Sequence, residues 1–259
     1  MTDGVTRGIY RYTSLTQNCN IMIKYRQILP LAAFASFAFT AGSASAANVI
    51  TNGDFETGDF TGWTVGGGST TISSTTPLAG SYSALQERQS ASSLTQSFTP
   101  FTDAATTSFI FAASDPGGAG DRSMNVTFGN STGSNQINLR VVDLDDDGDG
   151  DVQAYDGGWK TVLTDVVTFG STTTFALTIN GYGAGFNYDL NVGGNIASGL
   201  TDVQGGVLND FNQLSFVNAS LAAGSTFEFD NVSVVPEPGT YALLAGLTGL
   251  VFVMLRRRR

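Results

Sequence analysis

Short stretches in which polar and apolar residues alternate fill residues 47–235 and limit the folds open to this segment. It is rich in Thr, Ser, Gly, Val and Phe, and Gly, Asn and Asp separate the stretches. In Ile137–Val141, apolar residues occupy the odd positions and polar residues the even ones, as in a strand with one buried face. No sustained helical periodicity occurs. The pattern therefore predicts an all-β domain, a β-sandwich or jelly roll rather than an α/β fold.

The last of these stretches, Phe227–Val235, fits two registers. Either Phe227, Phe229, Asn231 and Ser233 face inward, or the opposite set with Val232 and Val234 does. A shift of one residue exchanges the two faces of a strand, and the pattern alone does not choose between them.

Charge is distributed unevenly along the 259 residues. The net charge is −10, but residues 47–235 hold four basic and 20 acidic residues, which gives 4 − 20 = −16. This acidic excess argues against a nucleic-acid partner. The chain has no His and one Cys, Cys19, which excludes His-dependent catalysis, His-ligated zinc and an intramolecular disulfide.

Residues 22–46 have the three parts of a secretory signal peptide. Lys24 and Arg26 precede the apolar run Ile28–Phe39, and small residues lead to a predicted cleavage after Ala46. Export through the Sec machinery follows from this prediction. Residues 1–21 fit no part of the signal, and we interpret them as a disordered, over-extended gene start; a long signal n-region is the alternative.

The C-terminus also has three parts. Pro236-Glu237-Pro238 precedes Gly239–Leu255, an uncharged apolar run of 17 residues, and four arginines end the chain. This length just spans a bilayer, and the terminal arginines favour a cytoplasmic C-terminus. We therefore predict a single C-terminal transmembrane helix over 239–255; a buried helix of a soluble domain is the alternative.

This C-terminal layout, together with a signal peptide, resembles the PEP-CTERM sorting signal of Gram-negative bacteria. The resemblance implies recognition of the tail near Pro236, Glu237 and Pro238 by an exosortase, a membrane cysteine protease-transpeptidase. It also implies an inner-membrane-anchored precursor that later reaches the cell surface or the extracellular matrix. Proteins of this class are associated with exopolysaccharide and biofilm.

The two ends of the β-rich segment carry a second resemblance. NGDFE at 52–56, followed by Gly62-Trp63, and FDNVSV at 229–234 are similar to carbohydrate-binding-module and galactose-binding-like jelly rolls. In several such families a structural calcium joins the first and last strands, which here implies Glu56 and Asp230 as ligands. The alternative is that both are solvated turn residues.

An aspartate run supplies a second candidate calcium site. Residues 145–151 contain five carboxylates, which repel one another unless a cation or solvent screens them. Numbered from Asp145, the run matches the alternating ligand spacing of an EF-hand loop, with Gly150 at position 6. The predicted ligands are Asp145, Asp147, Asp149, Asp151 and Asp156. The alternative is a flexible acidic loop.

Aromatic residues supply candidates for sugar binding. Tyr182, Phe186 and Tyr188 lie in the Gly-rich segment 181–188, which we predict to be an exposed binding loop. Trp63 and Trp159 are interpreted as core or edge packing, although either could stack on a sugar ring, as could Tyr82 and Tyr155. No local motif singles out a catalytic carboxylate pair.

Three functions are consistent with these features. The first is a non-catalytic surface or matrix protein whose β-sandwich is stabilised by calcium. The second is a carbohydrate-binding protein that holds exopolysaccharide. The third is a glycoside hydrolase with an unrecognised carboxylate pair.

Overall fold

The computed structural model describes residues 47–87, 92–115, 117–118, 122–130, 135–218, 225–237 and 254. The predicted leader (1–21), signal peptide (22–46) and, apart from Met254, the apolar run 239–255 lie outside the described residues. Within the described part, no helix has the length and apolar character needed to cross a membrane.

In the part of the chain that the structure describes, fourteen strands form two antiparallel sheets, which confirms the predicted all-β sandwich. Sheet A has the order β1-β4-β13-β6-β7-β8-β9, and sheet B has the order β12-β11-β10-β5-β14-β3-β2. The strands are β1 (Thr64–Gly66), β2 (Ser69–Ser73), β3 (Ser83–Glu87), β4 (Ser93–Phe101), β5 (Ala105–Ala113), β6 (Arg122–Gly129), β7 (Gln136–Val142), β8 (Asp149–Tyr155), β9 (Trp159–Thr168), β10 (Thr173–Gly181), β11 (Asn187–Val192), β12 (Asn195–Leu200), β13 (Phe211–Val217) and β14 (Thr226–Pro236).

Phenylalanine rings join the two sheets. Phe216 of sheet A stacks on Phe229 of sheet B with ring centroids 4.1 Å apart, and its edge meets Phe109 at 5.1 Å. All three side chains are at most 2% exposed. Such aromatic packing contributes to stability both through the large apolar area it buries and through favourable ring geometry.

A bulge in β14 explains why two registers fitted its sequence. Phe227 and Phe229 face the core before the bulge, and Val232 and Val234 face it afterwards. The pairing with β5 shifts between Asp230 and Ser233, and Asn231 takes a positive φ of 53°. One extra residue thus exchanges the faces of the strand, so each register is correct for half of β14.

The N-terminal motif packs against this bulge. The Val232 N–H donates to the Gly53 carbonyl at 2.8 Å, and Phe55 packs against both Phe229 and Trp63 at 5.7 Å. The two motifs that carry the jelly-roll resemblance therefore meet in space. Trp63 is buried, as predicted for a core residue.

Strands β8 and β12 do not follow from the sequence pattern. Val49 and Ile50, near the start of the domain, form no strand, although the Val49 N–H donates to the Val234 carbonyl of β14. Strand β8 occupies Asp149–Tyr155, part of which the aspartate motif assigned to a loop. Strand β12 is an exposed edge strand whose polar and glycine residues give no alternation.

Gly53→Ala should destabilise the exported domain (residues 47–237) by about 1–3 kcal/mol, a typical cost of overpacking. A Cβ at Gly53 would lie 2.0 Å from the Val232 carbonyl oxygen, so the backbone would have to move. Urea unfolding measures the effect.

Gly158→Ala is the matched control, because a Cβ there meets nothing within 4 Å. Equal unfolding midpoints for the two variants would contradict the close packing of the N-terminal motif against β14.

Candidate functional site

An open cleft lies on the outer face of sheet A. Its volume is about 240 Å³. Its lining combines aromatic rings with side-chain amides from four strands and one loop: Asn125, Asn138, Tyr155, Trp159 and Gln204. Clefts that combine apolar surface with a few placed polar groups are typical of small-ligand sites.

The aromatic part of the cleft is held in place by its neighbours. Trp159, on the edge strand β9, is half-buried and meets Tyr155 edge-to-face, with centroids 5.2 Å apart. The Arg140 guanidinium lies 4.2 Å from the Trp159 ring centroid, and Nε and Nη2 both donate to Gln153 Oε1. This cation–π contact and the paired hydrogen bonds orient the indole.

The amide part of the cleft is a chain of hydrogen bonds. Thr127 Oγ1 donates to Asn138 Oδ1, and Asn138 Nδ2 donates to Gln204 Oε1 at 2.6 Å. Gln204 belongs to the segment after β12, and its backbone pairs with Gln136 in both directions. Among the described residues, Asn125 Oδ1 has no hydrogen-bond partner, and almost none of its surface is exposed. The amides of Asn138 and Gln204 are thus held in place by hydrogen bonds.

The same polar character extends across the outer face of sheet A. Serine, threonine and glutamine side chains bond across neighbouring strands, at Thr95 with Ser215, at Gln213 with Ser97 and at Gln153 with Thr161. Uncharged donors and acceptors therefore continue on either side of the cleft, and they suit a polyhydroxylated ligand.

The aspartate run forms a compact turn between β7 and β8. Asp143 is fully buried, and its two carboxylate oxygens accept the N–H groups of Asp146 and Gly148. Oxygens of Asp143, Asp145 and Asp147 lie within 4.8 Å of one another, a group that could hold a metal ion. Of the predicted ligands, the structure thus brings Asp145 and Asp147 together and adds Asp143.

Strand β8 takes up the next part of the motif. Asp149 begins the strand, and Asp151 within it is buried, which raises the pKa of its carboxyl. The Asp165 N–H donates to Asp151 Oδ1 at 3.3 Å from a bulge in β9, where Asp165 has a φ of 50°. Partial desolvation and the neighbouring aspartates raise the pKa of Asp165. Sequence reasoning missed Asp165; the adjacent Val166 and Val167 were the only sign that the strand alternation breaks there.

Asp156 is not part of this cluster, which corrects the sequence-based ligand set. It lies in the turn after β8, at the other end of that strand, and accepts a bond from Lys160 Nζ at 3.0 Å. Lys160 also pairs with Asp202 at 2.8 Å. Because β8 is extended and sheet-paired, the chain cannot wrap back to bring position 12 to the turn.

Glu56 and Asp230 both accept hydrogen bonds from backbone N–H groups of the 79–82 loop. Glu56 Oε1 accepts the N–H groups of Ser81 and Tyr82, which lower the pKa of its carboxyl. Asp230 is 1% exposed and accepts the N–H groups of Ala79 and Asn231. Burial raises the pKa of Asp230 to about 6. The two carboxylates thus lie close together, with much of their acceptor capacity already used by the backbone.

The predicted exposed aromatic loop is wrong. Tyr188 is fully buried and Phe186 is 7% exposed, while Tyr182 is half-buried with its hydroxyl inaccessible. Burial raises the pKa of both tyrosine hydroxyls. The alternation of β11 turns Tyr188 into the core, and a short 3₁₀ turn at Gly183–Gly185 folds the glycines back toward Leu208.

The predicted processing residues are described only in part. Pro236 ends β14, and Glu237 follows it with a hydrogen bond to the Ala104 carbonyl. Ala46 and Pro238 lie outside the described residues.

The PEP-CTERM protein-sorting motif matches residues 234–259, which confirms the resemblance of the C-terminus. No curated protein matches the chain. The fold is similar to the conserved carbohydrate esterase vb_24B_21 of the Shiga toxin-encoding bacteriophage phi24B, at 13% identity over 74% of this chain and 100% of that chain, with a TM-score of 0.57.

Two further solved structures resemble the domain. The cellulose-induced protein Cip1 has 15% identity over 70% of this chain and 95% of that chain, with a TM-score of 0.50. The carbohydrate-binding module TmCBM61, solved with β-1,4-galactotriose, has 15% identity over 74% of this chain and 100% of that chain, with a TM-score of 0.40. The domain therefore has a β-sandwich fold similar to those of the phage carbohydrate esterase and Cip1.

The raised pKa of Asp230 predicts that stability falls as the pH rises from about 4 to about 6. The unfolded carboxyl, with a pKa near 3.9, loses its proton first, so ionisation in this window favours the unfolded state. Asp230→Asn should remove roughly 1–3 kcal/mol of this pH dependence. Urea unfolding from pH 4 to 7, with EDTA present, measures it.

Asp189→Asn is the control, because Asp189 lies at the surface and its pKa is lowered rather than raised. Parallel stability–pH curves for the wild type and Asp230→Asn would contradict the assignment.

Proposed function

We propose that this protein is an exported, non-catalytic polysaccharide-binding protein of the cell surface or extracellular matrix. The PEP-CTERM motif indicates export and a membrane-anchored precursor in a Gram-negative bacterium, with processing by an exosortase. The observation that carries the proposal is the cleft in which Trp159 and Tyr155 meet the amides of Asn125, Asn138 and Gln204. The β-sandwich fold, and the resemblance of its two end motifs to carbohydrate-binding modules, support it.

The chemistry of the cleft suits a sugar. A pyranose ring has an apolar C–H face that packs on an aromatic ring, and hydroxyl groups at its edge that need both donors and acceptors. Side-chain amides supply both, since each has a carbonyl oxygen that accepts and an NH₂ group that donates. Asn138 and Gln204, which bond to each other, present such groups in a fixed orientation.

The composition supports a non-catalytic role. The chain contains no His, so a Ser-His-Asp mechanism cannot be built. The likeness to the phage esterase concerns the fold alone. A protein that keeps polysaccharide at the surface needs affinity and no turnover.

Trp159→Ala should weaken polysaccharide binding at least tenfold, as expected for an aromatic residue at the centre of a binding site. Affinity electrophoresis of the exported domain in gels containing neutral and acidic polysaccharides measures this, after a glycan array has identified the class that binds.

Asn138→Ala, in the cleft, should also weaken binding. Asn180→Ala removes an amide from the outer face of sheet B and should leave binding unchanged. Silence across the array would refute the proposal and leave a structural or adhesive role.

We further propose that calcium stabilises the β7–β8 turn. Asp143, Asp145 and Asp147 present carboxylate oxygens close enough to share one ion, and hard oxygen ligands suit Ca²⁺. Asp149, Asp151 and Asp165 surround the group with further negative charge, as the raised pKa of Asp165 reflects. A cation would relieve this repulsion. The Glu56–Asp230 pair is the weaker candidate, because it offers two carboxylates rather than three, and backbone N–H groups already bond to Glu56 Oε1 and to both carboxylate oxygens of Asp230.

Calcium should raise the melting temperature of the exported domain by several degrees, and EDTA should reverse the increase. Asp145→Ala combined with Asp147→Ala should remove the effect, because it deletes two of the three converging carboxylates. Differential scanning fluorimetry measures it.

Asp156→Ala should keep the full calcium response, although Asp156 occupies position 12, a ligand position in the EF-hand spacing. Loss of the response in Asp156→Ala would contradict the structure-based ligand set. Its loss in Glu56→Ala alone would move the site to the strand-joining pair.

A further inference from the structure

The sorting motif begins inside the folded domain. Residues 234–259 match the motif, yet β14 continues through Pro236, and Val234 is fully buried in the core. The first residues of the motif therefore belong to the sandwich, and no spacer separates the last strand from Pro236 and Glu237.

Strand β5 covers one edge of this segment. Val235 pairs with Thr106 and Pro236 with Ala105, and the Glu237 N–H donates to the Ala104 carbonyl at 2.6 Å. Backbone pairing with this part of the chain thus includes Pro236 and Glu237, the first two residues of the Pro-Glu-Pro triplet.

The start of the exported chain covers the other edge. The Val49 N–H donates to the Val234 carbonyl, and the Val234 N–H donates to Asn48 Oδ1, both at 2.9 Å. Asn48 Oδ1 also accepts the Ile50 N–H at 3.0 Å, which holds its side chain in place. Asn48 lies only two residues after the predicted signal-peptide cleavage at Ala46.

We propose that Val234–Glu237 is a locked processing segment, which must detach from β5 and from Asn48–Val49 before an exosortase can act on it. Enzymes that recognise an extended peptide pair with its backbone groups. Here β5 and the N-terminal residues already occupy those groups on both edges. Processing would therefore require local opening of the end of β14, a sub-global fluctuation of the native domain. This inference rests on the proposed sorting by an exosortase.

The test follows processing of the full-length chain in a Gram-negative host that expresses an exosortase. Asn48→Ala removes the acceptor of the Val234 and Ile50 N–H groups. It should raise the rate of conversion to the processed form about fivefold, because opening of β14 then breaks one hydrogen bond fewer, the one from Val234. Pulse-chase labelling measures the rate. Asn191→Ala is the matched control, because it loses a single bond from Gly194 N–H in the distant β11–β12 turn and should leave the rate unchanged.

A disulfide cross-link that prevents opening of the locked segment should slow processing. Val235 and Thr106 are direct partners, so Val235→Cys with Thr106→Cys can form a disulfide between β14 and β5. The oxidised form should resist processing, and reduction should restore it. Processing of the oxidised form at the wild-type rate would overturn the proposal.

Hydrogen exchange on the purified precursor separates the lock from the sorting function. The amides of Val234 and Glu237 should exchange much more slowly than in an unfolded peptide, and Asn48→Ala should speed the exchange of Val234. Fast exchange of both amides in the wild type would overturn the lock. Slow exchange, combined with no processing of any variant by the exosortase, would uphold the lock and overturn the sorting function.

Discussion

The hydrogen bond between Gly53 and Val232 fixes the position of the first segment of the domain on its last strand, and much of the rest depends on it. It can form only because the bulge at Asp230 and Asn231 redirects β14. The same bulge turns Phe229 toward Phe216 on one side and Val232 and Val234 toward the core on the other. Asp230, at the bulge, is buried, and its carboxyl oxygens accept the N–H groups of Ala79 and Asn231. The bulge in β14 therefore affects the packing of the first segment, the composition of the core and the burial of the Asp230 carboxyl group.

Much of the fold could be predicted from the sequence because strand alternation is local information. The alternation in β7 correctly separates the buried Ile137, Leu139 and Val141 from Asn138 and Arg140. Positions where alternation fails were the difficult ones. The two competing registers of β14 result from a bulge. The charged start of β8 matched the spacing of a metal-binding loop, so it was assigned to a loop and not to a strand. A bulge depends on long-range pairing, which no local window contains.

The candidate site was harder to predict than the fold. The cleft combines strands β6, β7, β8 and β9 with Gln204, which is distant in sequence, so its composition follows from sheet order rather than from a motif. The exposure of the aromatic residues was predicted from their sequence neighbours. That prediction failed both for a residue expected to be exposed and for one expected to be packed. The Gly-rich setting of Tyr188 suggested exposure, but β11 buries it. Trp159 resembled a packing residue, but an edge strand leaves it half-exposed. The EF-hand spacing similarly captured Asp145 and Asp147 but not Asp165, which reaches the turn from another strand.

The topology also bears on which classes of polysaccharide could bind to the acidic domain, whose residues 47–235 carry a net charge of −16. Strands β7 and β8 separate the aspartate turn from the Tyr155 end by roughly 20 Å at 3.3 Å per residue. That exceeds the Debye length of about 8 Å at physiological ionic strength, so salt screens most of the repulsion at the cleft. Near the cleft, Lys160 pairs with Asp156 and Asp202, and Arg140 lies over Trp159. These four charges sum to zero. The acidic composition of the domain therefore does not exclude an acidic polysaccharide, because the charges near the cleft balance and the aspartate turn lies at the other end of β8.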